Sequence, residues 1–375
     1  MGYVAVRGGL EAIEASLERI RFERVRKGRV LDPEAIAAGM RSLVDQVMSE
    51  SSLYSEDLAA LAIKQAEGSP EEAVFLLRAY RSTLPRKHYA RSADPRHLFV
   101  ERRISSTFKD VPGGQILGTS LDYSHRLMDF DLLTETEESA LNWLEQYLEK
   151  SGQAIGTADG VDLGQLPRTI DYLRGQGLMK DYPVQNNEPG DITKKSLAFP
   201  AGRSERLQVL TRGQTGAVTA LGYAALRGYG ATLHPAVSEL RVGRLSLAVP
   251  DPFDRLADDP EEDYYLGEIR ITEVEALVPV VTDRPSGQKE LSFDLGYGFA
   301  FGQNETKAIA MSLLDQCLER PENGHAVHDE EFVLLHVDSV EATGFISHLK
   351  LPHYVTFQSE LDSVRKTRLN REENS

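Results

Sequence analysis

Tyr264-Tyr-Leu-Gly-Glu-Ile-Arg-Ile-Thr-Glu-Val-Glu-Ala-Leu-Val-Pro-Val-Val281 alternates apolar with polar side chains, and so does Arg241-Val-Gly-Arg-Leu-Ser-Leu-Ala-Val249. Neighbouring side chains on a strand point to opposite faces, so a period of two predicts a sheet with one face on a core. Downstream, Gly296-Tyr-Gly-Phe-Ala-Phe-Gly302 reads as another strand, and Asn304 is placed to cap a strong helix over 305–319. Gln214 to Arg227 carries the small residues of a tightly packed helix. A last helix is expected over about 355–370, ending in a charged tail.

Working upstream, the pattern turns helical. Residues 3–6 read as a short strand, followed by a helical pattern from Leu10 and by helices over 33–50, 55–67 and 70–82. Asp32-Pro33 and Ser69-Pro70-Glu71-Glu72 supply N-caps, a proline at the first helical position and acidic residues at the positive end of the dipole. Residues 98–109 look β-like before the turn at Pro112-Gly113-Gly114, and a helix is expected over 135–150. From 151 to 195 the sequence is rich in Gly, Asp, Asn and Pro and reads as a variable connection. The expected class is therefore α+β. A mainly helical N-terminal domain (1–150) is joined by that connection to a mixed α/β domain (196–375).

Composition narrows the function. With 42 Lys and Arg against 58 Asp and Glu, the 375-residue chain carries a formal charge of −16. Such a field repels polyphosphate backbones, so nucleic acid is not expected as a partner. Cys317 is the only cysteine, which excludes an internal disulfide and an iron–sulfur cluster built from this chain alone. The start lacks a basic region leading into a long apolar run, and no apolar run is long enough to cross a bilayer. A cytoplasmic location with no membrane partner is expected.

Several groups of residues have the composition of a site. His348-Leu-Lys-Leu-Pro-His353 places two imidazoles five residues apart, and a turn at Leu351-Pro352 would bring them together as two zinc ligands. Two histidines that merely flank a turn would have the same sequence. Arg102, Arg103, Arg203 and Arg227 lie near glycines and could grip phosphate oxygens bidentately, although solvated surface arginine is the commoner explanation for each. His125 stands beside Asp122 and Arg126, a set suited to acid–base work or binding. His325 and His328, with the acidic run Asp329-Glu330-Glu331, have metal-like composition at a surface turn. The glycines of 296–302 could cradle a phosphate or let a strand pack closely on a helix, and no Walker-A motif is present.

Taken together, Tyr3-Val-Ala-Val-Arg-Gly-Gly9, Ala73-Val-Phe-Leu-Leu-Arg-Ala-Tyr-Arg81, Glu101-Arg-Arg-Ile104 and Phe108-Lys-Asp-Val-Pro-Gly-Gly-Gln115 form a familiar series. It continues with Asp122-Tyr-Ser-His-Arg-Leu127, Arg227-Gly-Tyr-Gly230, Asp329-Glu-Glu-Phe-Val333 and Gly344-Phe-Ile-Ser-His-Leu-Lys-Leu-Pro-His-Tyr354. The series resembles the PhnI family, the I subunits of the carbon–phosphorus lyase core complex, nearly from end to end. The resemblance implies cleavage of the N-glycosidic bond of ATP or GTP, with transfer of the ribosyl triphosphate to a phosphonate such as methylphosphonate. It further implies a hetero-oligomer with the G, H and J subunits in which this chain occurs twice, and zinc at His348 and His353. For such a reaction Asp110 and His125 are the expected helpers at the ribose or base, and the four arginines the expected phosphate or phosphonate ligands. An oxocarbenium-like displacement calls for nearby carboxylates and an acid for the departing purine.

Overall fold

The computed structural model describes residues 8–107, 121–151, 164, 166–179, 189–229, 234–251, 263–283, 287–321 and 324–372. In chain order its helices are α1 (Gly9–Val25), α2 (Pro33–Gly39), α3 (Arg41–Ser51), α4 (Glu56–Gln65), α5 (Pro70–Thr83), α6 (Glu137–Ser151) and α7 (Thr169–Gly175). These are followed by α8 (Arg203–Arg212), α9 (Thr215–Ala224), α10 (Glu305–Glu319), α11 (Glu330–His336), α12 (Ser339–Ser347) and α13 (Tyr354–Glu372). The strands are β1 (Phe99–Ser105), β2 (Ala236–Val249), β3 (Tyr264–Asp283) and β4 (Lys289–Phe301). The fold is α+β. Two compact units share the chain: one takes Met1–Leu84, Arg212–Ala217 and Glu331–Ser375, the other Pro85–Thr211 and Val218–Glu330.

In the first unit, caps set the helix starts. Asp32 accepts from Glu34 N–H, Ser55 from Leu58 N–H and Ser69 from Glu72 N–H, with Pro33 and Pro70 at the first positions. The helix expected over 33–50 is two helices. Gly39 ends α2, and Met40 leaves helical geometry at φ −109° and ψ 41° before α3 begins. Ile36, Val44, Val47, Met48, Ala59, Ala60, Ile63, Val74 and Leu77 close the core among α2 to α5. Arg78 ties the separate chain segments together. It donates from Nε and Nη2 to Glu50 O (3.0 and 2.8 Å), from Nη2 to Arg212 O (3.0 Å) and from Nη1 to Asp338 (2.6 Å).

The second unit is built on an antiparallel sheet in the order β1-β2-β3-β4. Helix α10 lies on one face, where Leu240, Val242 and Val274 pack with Ala308. Gly296 and Gly298 decide how closely it lies. A Cβ on Gly298 would overlap the Ala308 carbonyl, and one on Gly296 the Ser312 carbonyl. These glycines thus serve strand-on-helix packing. The alternating stretches 241–249 and 264–281 are strands longer than the pattern predicts, and the β-like 98–109 is seen as far as Ser105. Asn304 occupies the N-cap of α10 without a side-chain capping bond, and its N–H donates to Thr272 Oγ1 (2.9 Å). Helices α7, α8, α11 and α12 were not foreseen. The short strand expected at 3–6 lies outside the described residues. Among the described residues no helix is long and apolar enough to cross a membrane.

Gly298→Ala should destabilise the protein by about 3 kcal/mol, because backbone rather than a movable side chain blocks the new methyl. Gly216→Ala, in α9 with open space around it, should be neutral or stabilising by about 0.5–1 kcal/mol. Urea denaturation of the two variants checks the contrast.

Candidate functional site

With α10 on one face of the sheet, the pleat sends the alternate residues to the other. Glu239 lies opposite Glu275 and Arg241 opposite Glu273 between β2 and β3, while Tyr297 lies opposite Glu275 between β3 and β4. On β1, Arg103 is opposite Arg241 and Ser105 opposite Glu239. Arg168, just before α7, adds a third guanidinium: Nη1 donates to Glu275 Oε1 (2.8 Å) and Nη2 to Glu273 Oε2 (3.4 Å). Arg103 grips Glu239 with Nε and Nη2, both at 2.9 Å, and donates further to the carbonyls of Leu166 and Pro167. Glu239 also accepts from Ser105 Oγ (2.6 Å). Arg241 pairs with Glu273, which accepts from the Tyr297 hydroxyl at 2.9 Å. Three carboxyls and three guanidinium groups are thus gathered on one sheet face.

The carboxyls are buried, Glu275 with 2% of its surface exposed. Burial pushes the Glu275 carboxyl up to about 8; Arg168 opposes the shift, and Glu273 and Glu239 reinforce it. Glu273 is raised by burial as well, against Arg168 and the Tyr297 hydroxyl. Burial and the neighbouring Glu273 raise Tyr297. Glu275 Oε2 and Arg241 Nε are buried without a hydrogen-bond partner, and such groups in a folded protein call for an explanation. Chemically, burial biases Glu275 toward its neutral form, the direction in which a general acid is tuned. Sequence reading passed over it because charges at every second position of a strand usually mark a solvated face.

The predicted residues are dispersed. Arg102, on the α10 side of the sheet, lies 3.0 Å from Glu305 and beneath the Tyr123 ring at 5.6 Å; its buried nitrogens make no hydrogen bond. Arg103 belongs to the cluster just described. Arg203, at the start of α8, grips buried Asp315 at 3.2 and 2.6 Å and donates to Leu295 O. Burial raises Asp315, and Arg203 works against it. Arg227 sits exposed in the π-helical turn Ala225–Tyr229, over the Tyr223 ring. His125 is exposed beside the Asp122–Arg126 pair. Asp110 lies outside the described residues. His328 is buried, its Nδ1 donating to Cys317 O (2.9 Å) at the end of α10, and Glu330 accepts from Ala201 N–H (2.7 Å).

In the other unit the turn at Leu351-Pro352 brings His348 and His353 to a ring separation of 5.5 Å. His348 Nδ1 faces Phe345 O, and His353 Nδ1 lies 2.6 Å from Leu351 O. Carbonyls only accept, so both Nδ1 atoms carry a proton, which in the neutral imidazole leaves Nε2 as the metal-binding atom. Metal-binding histidines are commonly oriented in this way. The pair fits two positions of a tetrahedral zinc site, and among the described residues no group of three or more His, Cys, Asp or Glu completes it.

The fold and these groups define an α+β protein with a buried acid–guanidinium cluster in one unit and an oriented histidine pair in the other. The chain belongs to the PhnI family: the family model described as bacterial phosphonate metabolism protein (PhnI) matches residues 2–371. It is 42% identical over 375 residues to a Rhizobium meliloti (strain 1021) protein, covering 98% of this chain and 95% of that one. An Escherichia coli (strain K12) protein is 41% identical over 383 residues, covering 99% of each. Both relatives are called alpha-D-ribose 1-methylphosphonate 5-triphosphate synthase subunit PhnI.

Glu275→Gln tests the buried carboxyl. The folded-state value lies above the unfolded one, so its stability contribution is present at low pH and is lost as pH rises from about 4.5 toward about 8. The wild type should therefore lose melting temperature between pH 5 and pH 8 by more than the Gln variant does. Equal slopes in thermal unfolding would show that Glu275 is ionised in the fold.

Proposed function

We propose that this chain carries out the ribosyl-transfer step of phosphonate breakdown. An oxygen of methylphosphonate forms a bond to the anomeric carbon of ATP or GTP, the N-glycosidic bond breaks, and the purine leaves with a proton. The product is ribose 1-methylphosphonate 5-triphosphate. The observation that carries this reading is end-to-end membership of a family whose relatives are called synthase subunits for that compound. The buried cluster supports it, since departure of a purine needs an acid and burial tunes Glu275 in that direction. Arg102 and Arg227 are the arginines best suited to phosphate or phosphonate oxygens, because Arg103 and Arg203 are held by Glu239 and Asp315. His125, exposed, is proposed to assist at the ribose or base together with Asp110.

Zinc is proposed at His348 and His353, through their Nε2 atoms. Bound there, the metal would supply a Lewis acid or a structural clasp. The missing ligands would come from water, substrate or a neighbouring subunit, which agrees with a complex containing the G, H and J subunits and a second copy of this chain. The runner-up reading, a scaffold whose active site is completed by those partners, is favoured by exposed apolar side chains on α1 and α6, among them Leu10, Leu17, Leu141, Trp143 and Leu148.

Base release decides between the two. The purified chain, alone and with co-expressed partners, is incubated with ATP with and without methylphosphonate. Free adenine together with ribosyl phosphonate triphosphate supports transfer, and no adenine under any condition supports the scaffold. Separately, changing His348 and His353 to Ala should lower the zinc bound to the complex, read by elemental analysis. Unchanged zinc would remove the metal assignment.

A further inference from the structure

In a chain of net charge −16, one exposed face of the second unit is basic. Arg86, Lys87 and His88 precede Tyr89 in the chain, and Lys194, followed by exposed Lys195, reaches the same tyrosine from a second segment. Tyr89 is 56% exposed. The Arg86 guanidinium lies 5.5 Å from its ring centre and Lys194 Nζ 4.5 Å, with Lys194 also donating to the Tyr89 hydroxyl. Two permanent cations, Arg86 and Lys194, thus meet at one tyrosine, with exposed Lys87 and Lys195 close to them in the chain and Asp191 paired with Arg86.

This face is held in shape. Arg86 pairs with Asp191 and donates to Thr193 Oγ1 (3.1 Å). Partial burial would raise Asp191, but Thr193 and Arg86 outweigh it and keep it an anion. Gln208 of α8 fastens the second segment, donating to Gly190 O (2.5 Å) and accepting from Ile192 N–H (3.4 Å). Arg91 fastens the first, donating from its N–H to Ala248 O (2.8 Å) and from its side chain to Asp263 (3.0 Å). Lys87, Lys194 and Lys195 are left exposed on an anchored support. Cations fixed around an aromatic surface suit an anion of high charge density joined to a flat ring, and such a local field in an acidic protein concentrates that anion.

We infer that the face formed by Arg86, Lys87, Tyr89, Lys194 and Lys195 captures the triphosphate tail of the nucleotide substrate. This assignment deepens the proposed function: it gives the triphosphate a docking place distinct from Arg102 and Arg227. Tyr89 accepts a hydrogen bond from Lys194 and, half exposed, is open to the nucleotide's sugar or base.

The test uses inorganic triphosphate, so that its outcome does not depend on base release. The full chain is titrated calorimetrically with sodium triphosphate at several salt concentrations. A double charge reversal, Lys87→Glu with Lys194→Glu, should weaken binding about tenfold or more and flatten the salt dependence. Melting temperature should stay unchanged, since both side chains are exposed. Tyr89→Ala should weaken ATP more than inorganic triphosphate. Triphosphate binding unaffected by the reversal overturns the inference, and so does a reversal that only releases another subunit from the complex, which would make the face a protein contact. If wild type releases adenine while binding ignores these residues, the capture site alone fails. If binding follows them but no adenine is ever released, the ribosyl-transfer reading fails and the capture site stands.

Discussion

The contact between Gly296, Gly298 and the backbone of α10 is the constraint on which the second unit depends. Without side chains at these two positions, the helix carbonyls of Ala308 and Ser312 come down directly onto β4. That contact assigns one sheet face to apolar packing. Because the pleat has a period of two, it simultaneously sends Glu239, Arg241, Glu273, Glu275 and Tyr297 to the opposite face. A one-residue slip of β3 would place two carboxylates under α10. The gathering of charge is therefore a consequence of register, and register is fixed by where a helix can approach closely.

Concentrating three carboxyls in a buried space has an electrostatic cost that three guanidinium groups only partly offset. The imbalance is concentrated at Glu275. Arg168 reaches one of its oxygens, the other has no partner, and Glu273 and Glu239 add like charge. Keeping a proton is the least costly solution. By contrast, Glu239 is met by the whole fork of Arg103 and by Ser105. Neighbouring carboxyls on one sheet face thus differ in how completely they are paired.

The sequence revealed most where information is local. Alternation disclosed β2 and β3, proline and serine disclosed the starts of α2 and α5, and Pro352 between two histidines disclosed a turn that sets their rings 5.5 Å apart. It revealed least where a partner is remote. Arg103 and Arg203 look like free phosphate ligands in one dimension, yet their carboxylates lie 136 and 112 residues away. Glu273 and Glu275 stood in plain view within an apolar strand. Only the cover supplied by Arg168 and α7 distinguishes them from a solvated face, and that helix falls in a stretch whose Gly, Asp and Pro content reads as a connection. Composition says little about a short helix stabilised by Ile170 and Leu173 packing on Leu277.

The same reasoning separates the arginines by role. A guanidinium gripped at two nitrogens by a buried carboxylate cannot turn to a ligand without leaving that charge unpaired, which costs several kcal/mol. That condition holds for Arg103 with Glu239 and for Arg203 with Asp315. It does not hold for Arg102, whose single close carboxylate lies at 3.0 Å without hydrogen-bond alignment, nor for the exposed cations around Tyr89. A substrate carrying several negative charges requires cations that can change partners at little cost. In this chain exposed cations lie around Tyr89 and at Arg227, Arg102 is buried beside Glu305, and the guanidinium groups of the cluster hold the sheet and its carboxyls in place.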